Sequence, residues 1–216
     1  MRLTSTFAAE SDARVSIANE YYPEDTMTEA PIAAGKSSFD LVDASVLFDA
    51  MDLREDKVIL DLACGVGNYA LALAAHTGPG GTIHAVDLWE EGIAALRSEV
   101  AARSMVWIHP AVADISRRIP LDDDGVDVCL MATVLHDLKQ DGTHSGTLNE
   151  LQRVLKPLGT LAVVEFKKIN GPPGPPLHVR LSPEETEALL EPFGFVPDRV
   201  VDIGPFNYLA RFSLRL

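Results

Sequence analysis

A short apolar run, Val58–Leu62, leads directly into two closely spaced glycines and then into a stretch with helical character. Gly65 and Gly67 allow the backbone to turn sharply and to approach a ligand without a side chain in the way. The helix that begins after Gly67 would present unpaired N–H groups at its first turn, where polar or anionic groups bind readily. This junction between strand and helix is therefore predicted to be a ligand site.

Three aspartates accompany this turn. Asp61 lies four residues before Gly65, Asp87 lies twenty residues after Gly67, and Asp114 follows the third apolar run. A carboxylate at the end of the second strand, where Asp87 falls, can accept hydrogen bonds from both hydroxyls of a ribose. Open α/β sheets bind their cofactors at the carboxyl ends of the strands, so we expect these aspartates to share one edge.

The same glycines support an alternative function. Gly65, Gly67 and Ala70, together with Asp87, satisfy the fingerprint of dinucleotide-binding proteins, as in an NAD(P)-dependent oxidoreductase. Asp61 argues against this alternative, because a carboxylate at the mouth of the turn would repel a pyrophosphate. The same carboxylate would attract the cationic end of an aminoacyl ligand.

His136 is the candidate for proton transfer. It follows the fourth apolar run, and an unperturbed histidine pKa near 6.5 suits a general base. A histidine beside an aspartate, here Asp137, is as often a structural hydrogen-bonding residue, so both roles stay open. The two cysteines, Cys64 and Cys129, lie in apolar runs without the spacing of a disulfide framework or a zinc site. We therefore expect no metal centre.

Strands and helices alternate from Val58 onward, which is typical of a parallel sheet buried on both faces. The predicted strands are Val58–Leu62, Thr82–Val86, Met105–Val112, Val126–Met131 and Thr160–Phe166, and the predicted helices are Tyr69–Ala75, Glu90–Arg103 and Leu148–Leu155.

The C-terminal part of the chain predicts one further helix and a hairpin. Ser182 opens a capping box with Glu185, and the helix should end near Phe193. The last two apolar runs, Arg199–Ile203 and Tyr208–Leu214, are separated by four residues, which permits only an antiparallel pairing. The expected fold class is α/β, a doubly wound sheet that is mostly parallel with an antiparallel hairpin at its C-terminal end.

Residues 1–53 carry no strand-like run. Phe39–Met51 has helical periodicity, with Ser37 or Ser38 as its predicted cap. The residues before it include Tyr21, Tyr22 and other large apolar groups, too many for a solvated tail. We therefore expect residues 1–53 to form an arm or lid, and residues 54–216 to form the main domain. The prolines and glycines of residues 171–176 predict a rigid linker.

Composition limits the range of partners. The chain has 216 residues, with 18 basic and 32 acidic side chains, for a formal net charge of −14. Nucleic acids and anionic membranes would meet net repulsion, so neither is an expected partner. No signal peptide or membrane-spanning run is apparent, and we expect a cytoplasmic protein. The sequence does not determine the oligomeric state, and a homodimer is one of the options.

The chain resembles the class I S-adenosylmethionine-dependent methyltransferases, in particular the ubiquinone and menaquinone biosynthesis methyltransferases. The matching segments lie between Lys57 and Lys167 and read VILDLACGVGNYALALA, IHAVDL, VADI, DVCLMATVLHDL and LQRVLKPLGTLAVVEF. The resemblance implies a Rossmann-like sheet of seven strands, S-adenosyl-L-methionine as cofactor, and methyl transfer to a small-molecule acceptor. A non-enzymatic module that binds the same cofactor is a second alternative.

The resemblance also implies a role for each matching residue. Asp61 and the turn would hold the methionine part of the cofactor, Asp87 the ribose and Asp114 the adenine amino group. The other implied cofactor-binding residues are Ala63, Gly65, Gly67 and Asn68 in and beside the turn, Leu88 against the adenine, Ile115 through its N–H, and Met131 through its backbone. The sequence departs from the quinone enzymes at residues 133–138, TVLHDL, which leaves the acceptor undetermined.

Overall fold

The computed structural model describes residues 35–215, so most of the predicted arm lies outside the described residues. The strands are β1 (Val58–Leu62), β2 (Thr82–Asp87), β3 (Ile108–Val112), β4 (Val126–Ala132), β5 (Leu155–Phe166), β6 (Phe195–Asp202) and β7 (Asn207–Leu214). The helices are α1 (Ala44–Met51), α2 (Asn68–Thr77), α3 (Glu90–Arg103), α4 (Leu135–Gln140), α5 (His144–Val154) and α6 (Pro183–Leu190). None of these helices is long and apolar enough to cross a lipid bilayer.

All seven strands form one sheet in the order β3-β2-β1-β4-β5-β7-β6. The first five strands are parallel, and β7 runs antiparallel to both β5 and β6. The predicted fold class and the C-terminal hairpin are therefore confirmed. The direction of winding reverses between β1 and β4, and this reversal opens a crevice at the carboxyl edge of the sheet.

Helices cover both faces of the sheet because the central strands are apolar on both sides. On one face, Ile59 and Val128 of the sheet belong to a buried cluster that includes residues of α1, α2 and α3. On the other face, Leu60 and Cys129 belong to a cluster that includes residues of α4, α5 and α6. Successive strand residues point to opposite faces, so each strand serves both layers.

The predicted helix over Phe39–Met51 is interrupted. A short 3-10 turn, Phe39–Leu41, follows the predicted cap, where Ser37 Oγ accepts the Phe39 N–H at 3.2 Å, but the α-helix has a different cap. Val42 is extended (φ −113°, ψ 150°), and α1 begins only after Asp43. The Asp43 side chain accepts hydrogen bonds from the N–H groups of Ser45 and Val46, at 3.0 and 3.1 Å. An aspartate at this position satisfies two of the unpaired donors of the first turn, which explains why the helix starts there. Although α1 falls within the predicted arm, its apolar face lies in the core.

Arg180 organises the proline-rich segment that follows β5. Its side chain is buried, and its guanidinium donates to the carbonyl oxygens of five residues at 2.7 to 3.1 Å: Lys167, Ile169, Gly171, Pro173 and Pro175. The same guanidinium lies 5.6 Å from the centre of the Phe166 ring. The shape of this segment therefore depends on one cation as well as on its prolines.

Candidate active site

The carboxyl edge of the sheet has two strained exits, one after β1 and one after β4. Ala63 and Thr133 both adopt left-handed conformations, with φ values of 59° and 53°. Non-glycine residues in this region are uncommon and persist where surrounding contacts hold them. The Thr133 N–H donates to Val164 O at 2.8 Å, and the Cys64 N–H donates to Val86 O at 3.2 Å. The crevice between the two strands is thus fixed by the backbone.

The two positions of the turn require glycine for different structural reasons. Gly65 has a φ of +56°, and a Cβ atom placed there would meet nothing within 4 Å, so open space lies in front of it. Gly67 has a φ of +81°, and a Cβ atom there would collide with Leu96 of α3. Gly67 therefore permits close packing of the helices, whereas Gly65 leaves the backbone open to a ligand. Asn68 is the first residue of α2, directly after the turn.

Asp61 lies beneath the turn with 1% of its surface exposed. Its Oδ2 atom is buried and has no hydrogen-bond partner among residues 35–215. Burial raises the pKa of Asp61 to about 7; the N–H of Ala70 opposes this shift, and the charge of Asp87 adds to it. A buried carboxylate with a free acceptor atom is stabilised by a cationic partner.

Asp87 ties the end of β2 to the glycine turn. Its Oδ2 accepts the Gly65 N–H and its Oδ1 accepts the Trp89 N–H, both at 2.7 Å. Each carboxylate oxygen has a second lone pair, so these bonds leave capacity to accept two hydroxyls. Leu88 beside it is 58% exposed, which provides an apolar surface at the same edge.

Asp114 caps a turn in the loop after β3. Its Oδ1 accepts hydrogen bonds from the N–H and the hydroxyl of Ser116, at 3.0 and 2.6 Å. The Ala113 N–H donates to the backbone oxygen of Asp87 at 2.9 Å, which holds this loop against the end of β2. Ile115 is buried in the core. The ordinary turn role of Asp114 is therefore present, and its predicted contact with an adenine stays a prediction, as does that of Ile115.

His136, which follows β4, and Glu165, near the end of β5, form a buried pair. The His136 Nδ1 atom lies 2.8 and 3.0 Å from the two carboxylate oxygens of Glu165, and the His136 N–H donates to Oε1 at 3.1 Å. Burial lowers the pKa of His136, but its hydrogen bond to Glu165 and the charges of Glu165 and Asp137 outweigh this and raise it above 6.5. His136 therefore holds a proton more tightly than a solvated histidine.

Three hydroxyl groups connect the start of the described chain to this edge. Ser38 Oγ lies 2.9 Å from the Tyr69 hydroxyl and 3.2 Å from Thr133 Oγ1. Tyr69 belongs to the first turn of α2, and Thr133 follows β4, so Ser38 bridges both sides of the crevice. Gly35 lies against the ring of Trp89. Residues 35–38 therefore cross the carboxyl edge of the sheet.

Met131, the remaining predicted cofactor-binding residue, lies in β4 beside the same crevice. Met131 is fully buried in β4 and pairs with Leu62 of β1 at the reversal point.

Burial raises the pKa of the Cys64 and Cys129 thiols, so neither favours the reactive thiolate. The described residues contain no group of three or more metal-ligating side chains placed to hold an ion.

The fold and the edge together define a class of protein. A seven-stranded Rossmann-like sheet with an antiparallel last pair carries a glycine turn between two aspartates at its carboxyl edge. This combination is the one that the sequence resemblance implied for a class I S-adenosylmethionine-dependent methyltransferase.

Comparisons with known proteins agree with this class. Residues 60–163 match a family described as a methyltransferase domain. The ubiquinone/menaquinone biosynthesis C-methyltransferase UbiE of Cupriavidus metallidurans is 31% identical over 119 residues, which are 55% of this chain and 46% of that protein. The chain therefore spans about half the length of this curated relative. These matches support a class I S-adenosylmethionine-dependent methyltransferase, a family that uses S-adenosylmethionine as its cofactor.

Solved structures show the same fold. A S-adenosylmethionine-dependent methyltransferase from Aquifex aeolicus superposes with a TM-score of 0.75 at 28% identity, covering 83% of this chain and 93% of that one. The (4+2)-cyclase SpnF superposes with a TM-score of 0.67 over 80% of each chain, but its 17% identity is a likeness of fold alone. A cyclase on this fold means that the reaction has to be argued from the site.

The residues of the edge fit the cofactor. The free Asp61 Oδ2 atom matches a positively charged amino group, and the open space at Gly65 admits a ligand close to the backbone. The Asp87 carboxylate can accept ribose hydroxyls, and Leu88 offers an apolar surface to a base. All of these features lie at the end of β1 or β2.

Sequence reasoning missed Glu165 and Arg180, and it named Ser38 only as a helix cap. A signal for Glu165 was present, because it is the single charge in the run Leu161–Phe166, and buried charges are rarely unpaired. Arg180 and Ser38 gave no comparable signal, since their partners lie in distant parts of the chain.

Proposed function

We propose that this chain transfers the methyl group of S-adenosylmethionine to a small-molecule acceptor whose reacting atom carries a proton. The observation that carries the proposal is the buried, unpartnered Oδ2 atom of Asp61 beside the open glycine turn. Asp61 and the turn residues Ala63, Gly65, Gly67 and Asn68 hold the methionine part. Asp87 and Leu88 hold the ribose and adenine, with Asp114, Ile115 and Met131 completing the cofactor site.

The bound cofactor supplies a methyl group already activated as a sulfonium. The protein then has to align the acceptor with the methyl–sulfur bond, exclude water and remove the acceptor's proton. His136 is the proposed general base, since it lies beyond β4 at the same edge as Asp61. The acceptor is proposed to be a small molecule in the cytoplasm, because the net charge of −14 repels nucleic acids and anionic membranes.

The central test is transfer of label from methyl-labelled S-adenosylmethionine. Aromatic, quinone-like and amine acceptors would each be incubated with the protein, and His136→Ala would serve as the matched variant. We expect at least one acceptor to be methylated by the wild type and much less by His136→Ala. Tight binding of the cofactor without transfer to any acceptor would favour the non-enzymatic module instead.

Replacing Asp87 by alanine is expected to weaken binding of S-adenosylmethionine by about 1.5 to 3 kcal/mol. The change removes charge-assisted hydrogen bonds to the ribose and releases the Gly65 N–H, while the core is untouched. Isothermal titration calorimetry on the folded variant measures the effect, and Asp49→Ala in the exposed part of α1 is the control. Unchanged affinity would remove Asp87 from the cofactor site.

The predicted arm is proposed to cover the acceptor. The bridge from Ser38 to Tyr69 and Thr133 supports this, because Ser38 belongs to the predicted arm and brings it to the carboxyl edge. We expect hydrogen exchange in residues 10–35 to slow when S-adenosylhomocysteine is added. Deleting residues 1–30 should reduce methyl transfer far more than cofactor binding. Equal exchange with and without ligand, together with full activity of the shortened chain, would contradict a lid.

A further inference from the structure

Glu165 is a fully buried carboxylate near the end of β5. The partners of its carboxylate all lie at the carboxyl edge of the sheet. They are the backbone N–H and the Nδ1 atom of His136, and the backbone N–H of Phe166 at 3.3 Å. Burying a carboxylate is unfavourable unless hydrogen bonds and a cation compensate for the lost water. The contacts with His136 supply the hydrogen bonds, and they supply the cation once the ring is protonated, so the two residues depend on each other.

The pairing decides which nitrogen of His136 can exchange a proton. Because Nδ1 faces both oxygens of Glu165 at 2.8 and 3.0 Å, it carries a hydrogen and donates it to the carboxylate. The other nitrogen, Nε2, lies 3.5 Å from Asp137 Oδ1, which is longer than a good hydrogen bond. Nε2 is therefore the atom that can accept a further proton.

We infer that Glu165 is a positioning residue for methyl transfer, holding His136 so that Nε2 takes the proton from the acceptor. The inference rests on the proposed function, because it needs His136 to be the base. The proton of the acceptor's hydroxyl or amine moves to Nε2 as the new bond to the methyl group forms. The cofactor keeps the electron pair of the broken methyl–sulfur bond. The Glu165 side chain, hydrogen-bonded to Nδ1, stabilises the imidazolium that forms.

The charges around His136 give this arrangement a pH signature. Glu165 faces the ring from β5, Asp137 from α4, and Arg180 from the segment before α6, while Tyr208 of β7 faces Glu165 with a hydroxyl whose pKa burial raises. Burial lowers the pKa of His136, but Glu165 and Asp137 raise it above 6.5 against the opposing charge of Arg180. Methyl transfer should therefore increase with pH as His136 loses its proton. Neutralising Glu165 should move this rise to lower pH.

The experiment compares Glu165→Gln and Glu165→Asp with the wild type. Asp141→Asn is the matched control, because it changes an exposed carboxylate to an amide just after α4. Glu165→Gln is expected to reduce kcat about 10- to 100-fold, at most the lower part of what a general base contributes, and to leave the affinity for S-adenosylhomocysteine unchanged. It should also shift the kcat profile to lower pH, and Glu165→Asp should restore part of the rate. Asp141→Asn should behave as the wild type does. A Glu165→Gln variant with normal kcat, or with a lower rate but an unshifted pH profile, would overturn the inference.

A second measurement does not depend on the acceptor. Nitrogen-15 NMR of the imidazole in the unliganded wild type should show the hydrogen on Nδ1, and the His136 titration should move to lower pH in Glu165→Gln. A hydrogen on Nε2, or a titration that Glu165→Gln leaves in place, would overturn the inference whatever the reaction. If no acceptor is methylated but the NMR result is as expected, the proposed function fails while the pairing of Glu165 with His136 stands.

Discussion

Replacing Asp61 by asparagine should make the unliganded protein more stable at pH 8 and less able to bind S-adenosylmethionine. Asp61 is buried with an unpartnered Oδ2, and burial raises its pKa from 3.8 to about 7. The folded state holds the Asp61 proton more tightly than the unfolded state, so this binding of the proton stabilises the fold fully below about pH 4. The stabilisation is lost as the pH rises toward 7 and Asp61 ionises. Above that pH the buried charge lowers the free energy of unfolding by about 4 kcal/mol relative to the protonated form, from 1.36 kcal/mol per pKa unit.

Asparagine has the shape of aspartate without its charge, so we expect it to recover about 2 to 4 kcal/mol at pH 8. The gain should shrink steadily toward pH 5.5. Urea unfolding of the unliganded wild type and Asp61→Asn at the two pH values measures it, with the exposed Asp49→Asn as control. Equal stability of the wild type and Asp61→Asn at pH 8 would contradict a buried, unpaired carboxylate.

The same substitution should weaken cofactor binding about 10-fold or more, because it removes a charge-assisted contact to the amino group. Affinity of the wild type should rise with pH up to about 7, as Asp61 becomes ionised. The charge of Asp61 therefore destabilises the unliganded fold but strengthens cofactor binding. Asp61→Asn should be more stable than the wild type and should bind the cofactor more weakly. A variant that is both more stable and binds as well as the wild type would remove Asp61 from the cofactor site.

Replacing Arg180 by methionine should destabilise the protein by about 3 kcal/mol or more, since charged hydrogen bonds contribute about 1.5 to 3 kcal/mol each and are not additive. The five carbonyl oxygens that the guanidinium joins belong to a segment with no regular hydrogen-bond ladder. Arg180→Lys should recover little of the lost stability, because an ammonium group lacks the planar set of five N–H donors with which the guanidinium bonds several carbonyl oxygens. Hydrogen exchange in residues 167–180 should increase in both variants.

The control for Arg180 is Arg103→Met. Arg103 forms an exposed pair with Glu99 on α3, and such pairs contribute about 1 kcal/mol or less. Urea unfolding of the two variants therefore separates a buried, many-bonded arginine from a surface one. A loss at Arg180 no larger than that at Arg103 would mean that the prolines alone shape the segment.

The elements that were predicted best are those that local pattern determines. The bounds of β1 and α3 agree with the sequence prediction. A short apolar run defines β1, and a run of helix-forming residues with Glu90 and Glu91 in the first turn defines α3. The capping box at Ser182 is also present, with Glu185 reciprocating the hydrogen bond. Motifs of this kind depend on residues three or four apart, so the sequence alone reveals them.

The parts that sequence did not predict depend on competition or on distant partners. Periodicity from Phe39 hid the stronger cap at Asp43, which interrupts the helix. β5 begins at Leu155, five residues before its predicted start, because Leu155 pairs with Val126 at the start of β4 before a register shift. The contact between His136 and Glu165 joins residues 29 positions apart, and spacing along the chain gives no sign of it.

The most direct test of the account is ligand-dependent thermal unfolding with S-adenosylmethionine, S-adenosylhomocysteine and NAD. A ligand at about a hundred times its dissociation constant stabilises the folded state by about 2.7 kcal/mol, which a melting scan resolves. We expect a higher unfolding midpoint with S-adenosylmethionine and with S-adenosylhomocysteine, and no change with NAD. A midpoint raised by NAD and unchanged by S-adenosylmethionine would contradict it.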